Sequence, residues 1–327
     1  MIFAGFDISK EKVDLCCLLD SSNTKVKTKV FRNNLQSFQD IANWLLKTTQ
    51  SVPANITITM EPTGVYHEPL IHFLYKQGFT ILLVNPGKAK KFAESMNLVH
   101  KTDKSDAIML ARYGESKHAN SMYWQPVNAQ VRELQALIRR LDALESNRQR
   151  EVNRLEASEF SEGSEYVTQS IKNTIHFFDD QIKATKSFID ALIAQYPELK
   201  RNQALLESIP GIGPVLSREL TSLFAAKQFK TAKQVAAYCG LIPKLKESGA
   251  MKGRTTLSKL GPSRIRCKLY MAAIVAGQHN ALIKKQKGNL KKNGKTSMQI
   301  IGANMRKLIQ ICFGVVKNQT EFKHQES

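Results

Sequence analysis

No stretch of this sequence approaches the roughly 20 consecutive apolar residues that a membrane-spanning helix needs, and no amphipathic anchor stands in for one. Cysteine is sparse and poorly spaced for structural work. Cys16, Cys17, Cys239, Cys267 and Cys312 are odd in number and form no Cys-x-x-Cys pair. That excludes a disulfide framework and a cysteine-based zinc site, and the seven histidines do not fall at ligand spacing from them. The expected setting is a reducing cytoplasm, with no secretory leader in view. Any metal here is to be held by oxygen. The last absence is local: from Lys244 to Ser327 there are 3 acidic residues against 18 Lys and Arg, while the preceding 243 residues carry 25 against 30. Most of the net charge of +20 therefore sits in that C-terminal segment. A basic segment on a near-neutral body calls for a polyanionic partner, most simply nucleic acid.

The N-terminal pattern is strand-rich. Ile2–Ser9 is apolar and then abruptly acidic, Lys12–Leu19 reads as a second strand, and Lys25–Phe31 as a third, with short polar turns between them. Asn33 or Asn34 can cap a helix whose apolar stripe is Leu35, Phe38, Ile41, Trp44 and Leu45. Asn55–Met60 alternates as a strand and ends on Glu61-Pro62-Thr63-Gly64. A helix from Tyr66 closes at Gly78, the buried-looking strand Thr80–Val84 stops at Pro86, and a further helix leads to Lys101-Thr102-Asp103-Lys104-Ser105-Asp106-Ala107. A three-strand meander followed by alternating helix and strand predicts an α/β domain with a mixed sheet, in the order of an RNase H-like fold.

From Gln130 the period changes. Leu134, Leu137, Leu141, Leu144 and Leu155 form one seam, and Val167, Ile171, Phe177, Phe178, Ile182, Ile189, Leu192 and Ile193 another, separated by Ser161-Glu162-Gly163-Ser164. This predicts a long helical hairpin, a coiled-coil spacer or oligomerisation arm, with a bundle packed on the first domain as the alternative. Ser208-Ile209-Pro210-Gly211-Ile212-Gly213-Pro214 has the look of a helix-hairpin-helix turn, whose backbone N–H groups bind phosphate without reading sequence. The stretch from Pro243 to Arg254 is basic and glycine-containing, so an exposed, mobile loop is expected, with Ser248 among Lys244, Lys246, Lys252 and Arg254. Arg264 and Arg266 extend the basic surface, and Lys284–Lys295 reads as a disordered or nucleic-acid-tracking loop.

Four carboxylates stand out. Asp103 and Asp106 are three apart on a helix, where like charges repel unless a cation lies between them, although a helix start also favours acids. Asp7 and Glu61 lie where apolar strands meet loops. Four such acids are what is needed to hold two Mg²⁺ ions about 3.5–4 Å apart across a scissile phosphate, and hard oxygen ligands suit Mg²⁺ or Mn²⁺. Each acid taken singly is equally well a surface carboxylate. Ser248, beside a glycine and among cations, has the unhindered setting a phosphodiester-attacking hydroxyl requires.

The motifs Gly5-Phe6-Asp7-Ile8-Ser9-Lys10, Met60-Glu61-Pro62-Thr63-Gly64-Val65-Tyr66, Val84-Asn85-Pro86 and Lys101–Ala107 resemble, in order, those of the DEDD-type insertion-sequence transposases, a family that includes the Piv-type DNA invertases. Ser208–Gly213, Gly240-Leu241-Ile242-Pro243 and Glu247-Ser248-Gly249 resemble that family's C-terminal domain. The resemblance implies a RuvC-like domain over 1–128, a coiled-coil arm over 129–200 and a basic α-helical transposase domain over 201–327. It implies that Asp7, Glu61, Asp103 and Asp106 bind Mg²⁺ or Mn²⁺. Ser248 would form a transient phosphoserine link to DNA. Lys101, Lys104, Gly211, Gly213, Lys244, Lys246, Lys252, Arg254, Arg264 and Arg266 are the expected nucleic-acid contacts. The partners implied are donor and target DNA, a structured guide RNA in many members, and further copies of the chain in a dimer or tetramer, at the nucleoid of a bacterial cytoplasm. The alternatives are a Piv-type invertase without guide RNA, a RuvC-like nuclease or junction resolvase in which water attacks, a non-enzymatic nucleic-acid binder, and a sugar-kinase-like ATPase. The last leaves the basic C-terminal segment unexplained.

Overall fold

A computed structural model describes residues 1–19, 25–62, 64–96, 102–161, 164–244, 247–248, 251–252 and 255–323, with the side chains of Asn120, Glu247, Ser248, Met251 and Lys252 outside the description. The chain divides into two compact units, Met1–Pro126 and Val127–Ser327.

The first unit contains β1 (Ile2–Ile8), β2 (Lys12–Leu18), β3 (Val26–Arg32), α1 (Leu35–Thr49), β4 (Ile56–Met60), α2 (Glu68–Lys76), β5 (Thr80–Leu83), α3 (Pro86–Ser95) and α4 (Asp103–Lys117). Its sheet runs β3-β2-β1-β4-β5, with β1–β2 and β2–β3 antiparallel and β1–β4 and β4–β5 parallel. That order and mix of directions is RNase H-like, as the meander predicts. Strand alternation then assigns the faces. Ala4, Phe6, Ile8, Val13, Leu15, Ile56, Ile58 and Met60 pack with Phe38, Ile41 and Leu45 of α1 and Leu70, Ile71 and Leu74 of α2. The alternate residues Phe3, Cys16 and Leu18 pack with Ala107 and Ala111 of α4. Asp7 and Asp14 share this second parity. Asn34 caps α1 by accepting from the Ser37 amide, but Leu35, counted in the apolar stripe, is 77% exposed.

α4 lies unusually close to the sheet. A Cβ at Gly5 would overlap the Ala107 carbonyl and the Ala111 amide, and one at Gly114 would overlap the Thr59 hydroxyl. Because the obstruction at Gly5 is backbone, no rotamer change relieves it. Gly5→Ala is expected to destabilise the unit by about 2–3 kcal/mol, read as a lower urea midpoint at unchanged slope.

The second unit opens with two long helices, α5 (Ala129–Phe160) and α6 (Glu165–Gln195), packed on each other through Leu134, Ile138, Leu141, Leu144, Ile182, Ile189 and Ile193. At 32 and 31 residues each extends about 47 Å. The apolar seam weakens towards the turn between them, where Phe160 is 93% and Tyr166 82% exposed. Then follow α7 (Pro197–Glu207), α8 (Pro214–Ala226), α9 (Ala232–Tyr238), four two-residue strands β6 (Pro243–Lys244), β7 (Glu247–Ser248), β8 (Met251–Lys252) and β9 (Thr256–Leu257), and α10 (Ser263–His279), α11 (Ala281–Lys292) and α12 (Ser297–Asn318).

Two expectations change here. The described residues between Pro243 and Leu257, where a loop is expected over Pro243–Arg254, include two short antiparallel pairs: β6 pairs with β9 and β7 with β8. Lys284–Lys295 is not a disordered loop, since residues up to Lys292 are helix α11. The lysines hide its apolar stripe, in which Ile283 is fully buried and Leu290 half-buried, while Asn280 caps the helix by accepting from the Ile283 amide.

Candidate active site

Four elements, β1, β2, β4 and α4, deliver acids to one region of the first unit. Asp7 and Asp14 are direct cross-strand partners on β1 and β2, half-buried and buried respectively. Glu61 follows the last residue of β4. Asp103 and Asp106 occupy the first turn of α4, whose start is fixed by a capping box: Thr102 accepts from the Ser105 amide at 3.1 Å and the Ser105 hydroxyl accepts from the Thr102 amide at 2.8 Å. The close approach at Gly5 lets this helix lie along β1.

Asp7 registers the result. Burial, followed by the charges of Asp106, Asp103, Asp14 and Glu61 in that order, pushes its carboxyl up from 3.8 to about 6. A carboxylate so repelled by four others sits where a cation is wanted. Lys12 supplies part of that charge: its ammonium lies 2.6 Å from Asp103 Oδ2 and 3.2 Å from Asp14 Oδ2, and these hydrogen bonds, Asp103's first, raise its own pKa. Among the described residues no three acids, histidines or cysteines stand close enough together to grip one ion as they are. The donor set, all carboxylate oxygen, fits a hard divalent cation, with Lys12 competing for Asp103. Lys12→Met should therefore tighten Mn²⁺ binding several-fold, measured by titration calorimetry on the full chain.

Asp14, Lys12 and Asn33 were not anticipated. Asp14 looks like an ordinary strand residue until the β1–β2 register places it opposite Asp7. Asn33 donates through Nδ2 to the carbonyls of Ser9 (2.9 Å) and Tyr66 (3.0 Å), tying the loop after β1 to the turn beyond Glu61. In the sequence it read only as a helix cap.

The remaining expected residues separate into groups. Lys104 and Lys244 are exposed. Lys101, Lys246 and Arg254 lie outside the described residues, as do the side chains of Ser248 and Lys252. The backbone of Ser248 pairs with Met251, at the end of the β7–β8 ladder. Arg264 and Arg266 are not the free surface cations expected of them. Arg264 reaches Asp142 at 2.9 Å and Glu219 at 2.6 Å, beside Lys268 on the same two acids. Arg266 donates to the Gly261 carbonyl at 2.8 Å. With Glu219 only 2% exposed, its charge must be matched internally, which spacing along the chain does not show. In the turn between α7 and α8, Gly211 has φ +103° and its missing Cβ leaves room for the α10 backbone at Ala276, so packing accounts for it. Gly213 is open and begins α8.

An RNase H-like sheet with acids gathered on its helix-covered face, followed by a basic helical unit, is the make-up of an enzyme that cuts or joins nucleic-acid strands. A DEDD transposase family of the IS110 group matches residues 4–158, and the transposase IS116/IS110/IS902 family matches residues 203–287. The pilin gene-inverting protein of Moraxella bovis is 31% identical over 324 residues, spanning 98% of this chain and 97% of its own. The protein of the same name from Moraxella lacunata matches to the same extent. The chain belongs to this IS110-type transposase and invertase family and is a DNA recombinase of the transposase class. T. thermophilus RuvC, solved with a Holliday junction substrate, aligns to 38% of this chain and 99% of its own at 10% identity and a TM-score of 0.28. The fold assignment rests on strand order and not on that likeness.

Proposed function

We propose that this recombinase breaks and rejoins DNA strands through a covalent serine intermediate, with the acids of the first unit acting on the same phosphate. The observation that carries the reading is Asp7, half-buried and surrounded by Asp106, Asp103, Asp14 and Glu61. Asp7, Glu61, Asp103 and Asp106 would hold Mg²⁺ or Mn²⁺, which supplies charge neutralisation at the phosphoryl oxygens. The Ser248 hydroxyl attacks phosphorus, losing its proton as the new P–O bond forms. The P–O bond to one sugar breaks, and that sugar oxygen leaves with a proton. Rejoining reverses the sequence with a different sugar hydroxyl, so phosphodiester energy is conserved and no nucleotide triphosphate is consumed. Lys244 on β6, with Lys246, Lys252 and Arg254 along the same stretch of sequence, suits a developing phosphorane charge.

Gly213 at the start of α8 and Lys104 beside the acids are the proposed phosphate contacts. Exposed Phe160 and Tyr166 at the turn between α5 and α6 support a coiled-coil arm that joins copies of the chain. The family resemblance supports a structured guide RNA. A second reading, an invertase without guide RNA, is favoured by the near full-length match to the pilin gene-inverting proteins. Recombination reconstituted with purified protein, Mg²⁺ and plasmid substrates tests both. Loss of exchange after RNase treatment supports the guide, and undiminished exchange supports the invertase. Exchange that persists in chelator overturns the metal-dependent account altogether.

A further inference from the structure

The second unit contains a cleft of about 760 Å³ between the β6–β9 pair, α11 and α12. Its size is that of a small-molecule or nucleotide site, typically about 300–1,000 Å³. The lining is two-sided in chemistry. Leu257, Leu290 and Met298 give an apolar floor, and Met298 is 66% exposed. Lys259, Lys295, Arg306 and Lys307 stand around it, and among the described residues no acidic one lines it. Among the described residues none of these four cations is held in an ion pair. That separates them from Arg264 and Lys268, which are paired inside the same unit.

Lys259 is held there at a cost. Its φ is +54°, a left-handed conformation that non-glycine residues avoid. Its amide donates to the Gly240 carbonyl at 3.0 Å, and a Cβ at Gly240 would collide with the backbone of Lys259 and Leu260. The strap bearing Lys259 is therefore fixed by backbone packing.

We infer that this cleft binds an unpaired nucleotide, its base against the Leu257–Met298 floor and its phosphate among Lys259, Lys295, Arg306 and Lys307. Four cations, with no acid in the described lining, select an anion, and an apolar floor selects a ligand with a face to bury. A phosphate-linked base has both, whereas bases inside a duplex have their faces covered by stacking. Position adds to the argument. Pro243, which lines the cleft and pairs with Leu257, is five residues from Ser248 in sequence, at most about 17 Å of extended chain. A strand gripped at the cleft can therefore present a phosphate a few nucleotides away to Ser248. The site takes the chemistry common to single-stranded DNA and RNA. It rests on the reading that this unit holds nucleic acid but not on Ser248 being the nucleophile.

The test is binding by the full chain of three labelled probes of one sequence: single-stranded DNA, single-stranded RNA and duplex DNA. Met298→Glu places a carboxylate in the cleft, and Met271→Glu, at a residue 61% exposed on α10 and not among those lining the cleft, makes the same change of charge elsewhere. Met298→Glu is expected to weaken one or both single-stranded probes about tenfold and the duplex by less than about twofold, the size of one lost stacked base. Met271→Glu should leave all three within about twofold. Loss of the DNA strand alone makes the occupant DNA, loss of the RNA alone makes it RNA, and loss of both gives a site open to either. If Met298→Glu matches Met271→Glu, or weakens duplex and single strands equally, there is no nucleotide cleft. Ser248→Ala, run in parallel, separates the two readings: it should bind every probe normally whether or not it forms adducts.

Discussion

Asp7→Asn should abolish strand cleavage while making the metal-free protein more stable. Removing a principal charge from a carboxylate cluster that would hold a divalent ion at a scissile phosphate is expected to slow the chemical step by at least about 10³-fold, or roughly 4 kcal/mol of transition-state stabilisation. The stability change has the opposite sign. Burial and four neighbouring carboxylates raise the Asp7 pKa to about 6, so between pH 3.8 and 6 the folded chain binds more protons than the unfolded one. Stability from this residue is fully present below pH 3.8 and is lost as pH rises through 6. At pH 7 the charged carboxylate is a penalty, and asparagine removes it. Discounted for the half-exposed position, the gain is about 1 kcal/mol, or about 2–4 °C in Tm. The wild type should also gain stability on adding Mg²⁺, and Asp7→Asn should gain much less. Differential scanning calorimetry from pH 4 to 8, with and without Mg²⁺, reads all of this. An Asp7→Asn protein that is less stable at pH 7 and still cleaves would show that Asp7 is an ordinary surface acid.

Ser248→Ala should eliminate protein–DNA adducts and reduce strand exchange by about 10⁴-fold or more, because no other group in the scheme can hold the strand end covalently. Stability should change by less than about 0.5 kcal/mol, since the substitution leaves the backbone of the two-residue strand β7 and its pairing with β8 unchanged. The acids should still bind metal in this variant, so Ser248→Ala separates the nucleophile from the metal site. A resolvase, with water attacking, would cleave normally in Ser248→Ala and lose cleavage only in Asp7→Asn.

Much of this was legible in the chain. The meander Ile2–Phe31 and the apolar strands at Asn55 and Thr80 predicted a mixed sheet, and the sheet is mixed in the order 3-2-1-4-5. The break at Ser161–Ser164 separated the two long helices correctly. What the sequence hid was pairing between different elements of the chain. Asp14 joins the acids through β1–β2 register, and Lys12 through a contact with Asp103, 91 positions away. Arg264 was misread as a free cation for the same reason, its partners Asp142 and Glu219 being remote in sequence. Lys284–Lys295 reads as a loop because composition outweighs a stripe of only two apolar positions, Ile283 and Leu290, which suffices for a capped helix packed on α10 and α12.

The most direct measurement traps the covalent intermediate. A nicked suicide substrate, from which the released strand diffuses away, is incubated with the wild-type chain and Mg²⁺, and the adduct is digested and mapped by mass spectrometry. The account predicts a nucleotide attached to the peptide containing Ser248, absent in chelator and in both Ser248→Ala and Asp7→Asn. Cleavage without any adduct, or an adduct at another residue that persists in Ser248→Ala, would contradict it.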